Sequence, residues 1–206
     1  FALTSQALEG SVFLMISHGL TTGALFLLIG MIYDRTHTRK IADYGGLASV
    51  MPVYAGIFLF SAFASAGLPG LSGFIGEFTV LVGSWLTYPA LAVIAGGGVI
   101  LAAIYVLWAY ERMFTGPTNP KLSGLSDLGL REISIMVPLV VLIVVLGVYP
   151  KPVLDRIEPS TEIILDRIEQ VTGYEPAEFG RADEVVEPEY GVIEHGGDES
   201  GSEGGD

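Results

Sequence analysis

The chain has 206 residues, of which 50% are hydrophobic and only 16% charged, with a mean hydropathy of +0.56; this balance excludes an ordinary soluble globule. The net charge of −13 is confined to one end, since residues 1–149 hold six Lys and Arg against seven Asp and Glu while residues 150–206 hold four against sixteen. A pI near 4.5 leaves no basic face for nucleic acid, and the lack of cysteine excludes disulfides, thiolate metal sites and a cysteine nucleophile.

The chain opens inside apolar sequence at Phe1, which reads as the C-terminal piece of a longer protein. A helix that crosses roughly 30 Å of hydrocarbon at ~1.5 Å per residue needs about 20 apolar residues. The first such run, Ser11 to Tyr33, carries only His18 as an ionisable group and ends at Asp34-Arg35-Thr36-His37-Thr38-Arg39-Lys40. The second, Val50 to Gly76, continues past Glu77 to Trp85. The third covers Ala90 to Tyr110 and the fourth Ile133 to Pro150. Backbone groups in lipid must be satisfied within a segment, so these runs predict helices, and the alternating strands of a barrel are absent from the pattern. The expected fold is an all-α membrane protein of about four transmembrane helices with a mostly disordered acidic tail. Other long apolar stripes, such as Phe58, Phe60 and Phe63, read as lipid-facing or helix-packing surface, and Gly96-Gly97-Gly98 as close-packing backbone.

The second run contains Gly67-Leu68-Pro69-Gly70-Leu71-Ser72-Gly73, with Gly76 and Glu77 one turn later. Pro69 removes a backbone donor and the glycines admit irregular φ/ψ, so the run predicts a span broken at mid-membrane by Gly67, Pro69, Gly70, Gly73 and Gly76. Irregular backbone at that depth is tolerated where it is packed in protein or lines a wet cavity, and in transporters it marks ion paths. The plainer reading is a loop between two separate spans.

Basic residues favour the cytoplasmic side. Arg35, Arg39 and Lys40 follow the first span, and Arg112, Lys121 and Arg131 lie between the third and fourth. Counting the broken helix as one span places both basic loops inside, and the Tyr88-Pro89 turn and acidic tail outside. The tail after Pro150-Lys151-Pro152 reads as solvated low complexity, apart from a short amphipathic helix over 160–171, capped by Ser160 and carrying Ile164, Ile168 and Val171 on one face. That helix is expected to lie on the membrane or on a neighbouring subunit.

An ionisable group inside a span is costly and needs a reason. Glu77 beside the break suits a group that takes up and releases a proton, and His18 is of the residue type whose charge changes near neutral pH. These two are the candidate proton-relay residues. An inert ion pair for Glu77 and a structural hydrogen bond for His18 are the plainer alternatives. Asp34 to Lys40 read as a topological anchor, and Glu111-Arg112 as an interfacial pair. No phosphate loop, dinucleotide fingerprint or hydrolase elbow occurs, and no metal site or cofactor is expected in the chain.

Ser17-His18-Gly19, Asp34-Arg35-Thr36-His37-Thr38-Arg39, Gly45-Gly46-Leu47 and above all Ala64-Ser65-Ala66-Gly67-Leu68-Pro69-Gly70-Leu71-Ser72-Gly73-Phe74-Ile75-Gly76-Glu77-Phe78 form a combination with a known counterpart. With Tyr149-Pro150-Lys151-Pro152, residues 5–156 resemble the C-terminal portion of the chain M (subunit 4) type of antiporter-like membrane subunits in proton-pumping NADH–quinone oxidoreductase, complex I. The resemblance implies the last four spans of a fourteen-helix subunit, with Glu77 in the distal half-channel and His18 on the central hydrophilic axis. Sister subunits carry lysine at the position of Glu77, and the L type carries lysine at the position of Thr22, so this chain follows the M type. The family's central lysines and a further glutamate precede Phe1.

The implied activity is proton translocation driven by quinone reduction elsewhere. NADH, FMN, iron–sulfur clusters and quinone are expected in partner subunits, and none in this chain. The implied partners are the other membrane subunits of complex I and the lipid bilayer, in a bacterial inner membrane with the tail on the periplasmic side. The expected organisation is a transmembrane portion over 1–156 and an acidic tail over 157–206. The alternatives are an Mrp-type cation/proton antiporter or membrane-hydrogenase subunit, which share the helices and the break, and a purely structural scaffold.

Overall fold

The structure, a computed structural model, describes residues 2–175. The low-complexity stretch from Gly196 and the disorder expected for most of the tail lie outside the described residues. Among the described residues seven α-helices follow in order: α1 Ser5–Thr36, α2 Leu47–Val50, α3 Pro52–Ser65, α4 Ser72–Thr87, α5 Pro89–Phe114, α6 Leu130–Val148 and α7 Lys151–Thr172. Among the described residues there is no strand.

α1, α5 and α6 are each long and apolar enough to cross a membrane. α3 and α4, of 14 and 16 residues, are each too short to do so alone at ~1.5 Å per residue. They lie end to end along the 32-residue α1, which is about 48 Å long. α4 packs against the first half of α1 and α3 against the second. The stack behaves as one interrupted span.

α1 presents Ala7, Gly10, Phe13, Ser17, Thr21, Ala24, Leu28 and Met31 to its neighbours, a stripe of three- and four-residue steps that matches one helix face. Small residues let the backbones approach. A Cβ on Gly76 would meet Leu14 Cα at 2.8 Å, and one on Gly10 would meet Val80 N at 2.8 Å, so α1 and α4 touch through glycine. α3 and α5 are joined differently, by an aromatic stack of Tyr54, Phe58, Tyr110 and Phe114 with centroids 4.5 Å apart at the closest, Tyr110–Phe114. Phe58 is therefore packing surface. Phe60 and Phe63 pack against the Ala64, Leu71 and Ile143 cluster.

The two basic loops meet at one end of the bundle. Gly46 N donates to Thr115 O at 2.9 Å, and Asn119 N to Gly45 O at 3.1 Å. At the other end Thr87 Oγ1 and Tyr174 OH both donate to Ala2 O, at 3.2 and 3.4 Å. This arrangement follows from counting α3 and α4 as one crossing.

Two expectations are corrected. α7 starts at Lys151, nine residues before Ser160. Pro150-Lys151-Pro152 does not delay it because the first-turn amides of a helix lack internal partners, and proline costs little there. The buried face is Ile157, Thr161 and Leu165, which rest near α1, while Ile164 and Val171 are exposed. Gly96, Gly97 and Gly98 meet open space among the described residues. Glu111 and Arg112 stand in the last turn of α5, and the Arg112 guanidinium lies 4.6 Å from the centroid of the Trp108 ring.

Candidate functional site

The site is built on the interruption between α3 and α4. α3 ends when Gly67 enters the left-handed region at φ +74, and Leu68 N reaches back to Phe63 O at 3.1 Å. Leu68-Pro69-Gly70-Leu71 then forms a tight turn, with Leu71 N donating to Leu68 O at 3.1 Å and Gly70 at φ +92. Proline in the second place and glycine with positive φ in the third match a type II turn. Gly73 and Gly76 serve close approach instead: a Cβ on Gly73 would strike Ala64 O, and one on Gly76 the backbone of Leu14. Gly67, Pro69 and Gly70 thus form the interruption, while Gly73 and Gly76 lie inside α4 where it meets α3 and α1.

The interruption brings Glu77 back onto Gly67. Side chains of a helix lean toward its N-terminus, so the carboxylate of Glu77 reaches past the first turn of α4 and lies where a Cβ on Gly67 would be. Gly67 is buried and Glu77 half-buried. Among the described residues Glu77 enters no ion pair.

One α-helical step from the predicted His18, Ser17 faces inward and donates to Ser72 Oγ at 2.7 Å, in a buried hydrogen bond between α1 and the first residue of α4. His18 itself is exposed on the outer face of α1, with Met15, Ile16 and Gly19. A step of about 100° separates adjacent helix residues, so His18 and Ser17 cannot both face α4. The described residues place no side-chain hydrogen bond between His18 and Glu77.

Sequence reading passed over Ser17 and Ser72 because a serine in an apolar helix has no sign of its partner. It also passed over a polar cluster at the basic end. Arg35 donates from Nη1 and Nη2 to Glu132 Oε1 and Oε2, both at 2.7 Å, and also to Met31 O, Ser126 O and Asp127 O. Glu132 Oε2 further accepts from Gly129 N at 2.8 Å. The Gly129-x-x-Glu132 spacing was a usable signal, since glutamate three residues into a helix often binds the amide before it.

The first 104 residues match the family model described as NADH:quinone oxidoreductase/Mrp antiporter, TM. The chain is 50% identical over 161 residues to NADH-quinone oxidoreductase subunit M of Rhodobacter capsulatus, covering 78% of this chain and 31% of that protein. It is 47% identical over 161 residues to NADH-ubiquinone oxidoreductase chain 4 of Arabidopsis thaliana, covering 78% of this chain and 32% of the relative. The chain therefore spans about a third of the length of the relatives it matches. Among solved structures, respiratory complex I from Thermus thermophilus with bound NADH superposes with a TM-score of 0.76 at 36% identity, over 81% of this chain and 35% of that one. The Mrp complex from Dietzia sp. superposes with a TM-score of 0.69 at 21% identity, over 82% and 40%, a likeness of fold alone.

Proposed function

The chain belongs to the NADH:quinone oxidoreductase/Mrp antiporter transmembrane family, and from that premise we propose that it is the C-terminal portion of a proton-translocating membrane subunit of respiratory NADH–quinone oxidoreductase. Residues 1–156 form the transmembrane portion and 157–206 the acidic extension. Glu77 and His18 carry protons, and the chain performs no redox step. NADH, FMN, iron–sulfur clusters and quinone are held by partner subunits. The protein sits in a bacterial inner membrane, with both basic loops cytoplasmic and the tail periplasmic.

The observation that carries this reading is the carboxylate of Glu77 placed against an interruption in a membrane span. A carboxyl group in apolar surroundings is costly to keep charged, and the turn at Leu68 to Leu71 leaves backbone groups that a continuous helix would have paired. Both features suit a site where a proton and water enter. His18, turned away from α4, is assigned to contact with the part of the longer protein that is not in this chain.

The test uses membrane vesicles carrying the full-length subunit in the assembled complex with Glu77→Gln and Glu77→Ala. Loss of proton uptake with NADH oxidation and assembly retained supports the relay. Wild-type uptake in both variants sinks it and leaves the interruption a structural feature. Sodium uptake in place of protons would favour the Mrp type of function.

A further inference from the structure

α3 lacks an N-terminal cap of its own. Its N-cap residue is Met51, which offers no side-chain acceptor, and Pro52 follows. The amides of Val53 and Tyr54 would be left without partners, as the first amides of any helix are. Asp127, in the loop before α6, takes both: Oδ2 accepts from Val53 N at 2.8 Å and Oδ1 from Tyr54 N at 3.0 Å. Oδ1 also accepts from its neighbour Leu128 N at 2.8 Å. The loop is itself held, because Arg35 donates to Ser126 O at 3.1 Å and Asp127 O at 3.3 Å while gripping Glu132. A carboxylate at this position also faces the positive end of the helix dipole.

We infer that Asp127 is a positioning residue for Glu77, acting through α3. The inference rests on the proposed role of Glu77 in proton transfer. α4 is registered against α1 by the Ser17–Ser72 hydrogen bond and the Gly76–Leu14 approach. α3 is held by the close approach of Gly73 in α4 to Ala64 O at its far end, by apolar and aromatic packing along its length, by the Tyr54 OH bond to Leu28 O at 3.1 Å, and at its start by Asp127. The wall against which Glu77 rests, Gly67, lies two residues beyond the far end of α3. Rotation or sliding of α3 by a fraction of a turn moves Gly67 against a fixed Glu77, and the two directional bonds from Asp127 oppose that movement.

The test compares Asp127→Ala, Asp127→Asn and Asp127→Ser in the full-length subunit within the assembled complex, with Glu77→Gln alongside. In Asp127→Ala, protons moved per NADH oxidised fall by roughly half or more while amide exchange at Val53 and Tyr54 rises about fivefold, the size of a lost helix cap. Asp127→Asn, which keeps one of the two accepting oxygens, and Asp127→Ser, which keeps a hydroxyl, recover part of both readouts. Wild-type coupling in Asp127→Ala overturns the inference, whether or not exchange rises. So does an Asp127→Asn variant in which exchange recovers but coupling stays as impaired as in the alanine, which would assign the effect to charge. If Asp127→Ala does not assemble, Asp127→Ser decides: restored exchange with poor coupling overturns the inference, and restoration of both supports it. A Glu77→Gln variant that pumps normally removes the reading of Glu77 itself, independently of every Asp127 result.

Discussion

Gly67 lies against the Glu77 carboxylate, ten residues away in sequence, at a backbone φ of +74 and with no room for a Cβ. Gly67→Ala therefore meets two penalties, the left-handed backbone and the displaced carboxylate. Gly70, at φ +92, has open space around it and meets only the first. Gly67→Ala should reduce proton transfer toward the level of Glu77→Gln, while Gly70→Ala loses about 1 kcal/mol of stability and keeps most of its pumping. Proton uptake and thermal denaturation of the assembled complex separate the two. Equal pumping losses would show that backbone strain alone is responsible.

Ser17 and Ser72 share one buried hydrogen bond. Replacing either with alanine strands the other hydroxyl, and the expected cost is about 1–3 kcal/mol. Replacing both removes the stranded group, so the double variant should be less destabilised than the sum of the singles. A thermal double-mutant cycle on the assembled complex reads this directly. Strict additivity would mean that the serines act apart.

Arg35 grips both carboxylate oxygens of Glu132 and three backbone carbonyls from one planar group. Lysine places its donors around a single point and cannot reproduce that fork. Arg35→Lys is expected to destabilise the loop before α6 by about 1–3 kcal/mol despite keeping the charge. Faster proteolysis or amide exchange across Ser126 to Gly129 is the readout, and a wild-type exchange pattern there would show that charge alone suffices.

Gly147 of α6 packs against Gly70 O and the backbone of Leu71. Gly147→Ala forces α6 away from the turn, and overpacking of this kind costs about 1–3 kcal/mol. A lower midpoint of thermal unfolding is the expected result. An unchanged midpoint would mean that the turn moves aside freely.

The membrane class, the apolar runs and the interruption were legible in the sequence, because each rests on local chemistry. Apolar length sets whether a helix can span, and Pro69 with Gly67 and Gly70 interrupts a helix wherever it stands. Glu77 stood out because a carboxylate in an apolar run is rare. The start of α7 was not legible as drawn, since Pro150 and Pro152 read equally well as a stop or as a first turn.

Only the tertiary structure decided which residues meet. That Ser17 and not His18 faces α4 depends on the rotation of α1, which an almost uniformly apolar helix does not announce. That Asp127 caps a helix 73 residues earlier depends on loop packing across the bundle. Local physics determines where helices begin and break, whereas facing and partnership arise from long-range contacts that no short window of sequence contains.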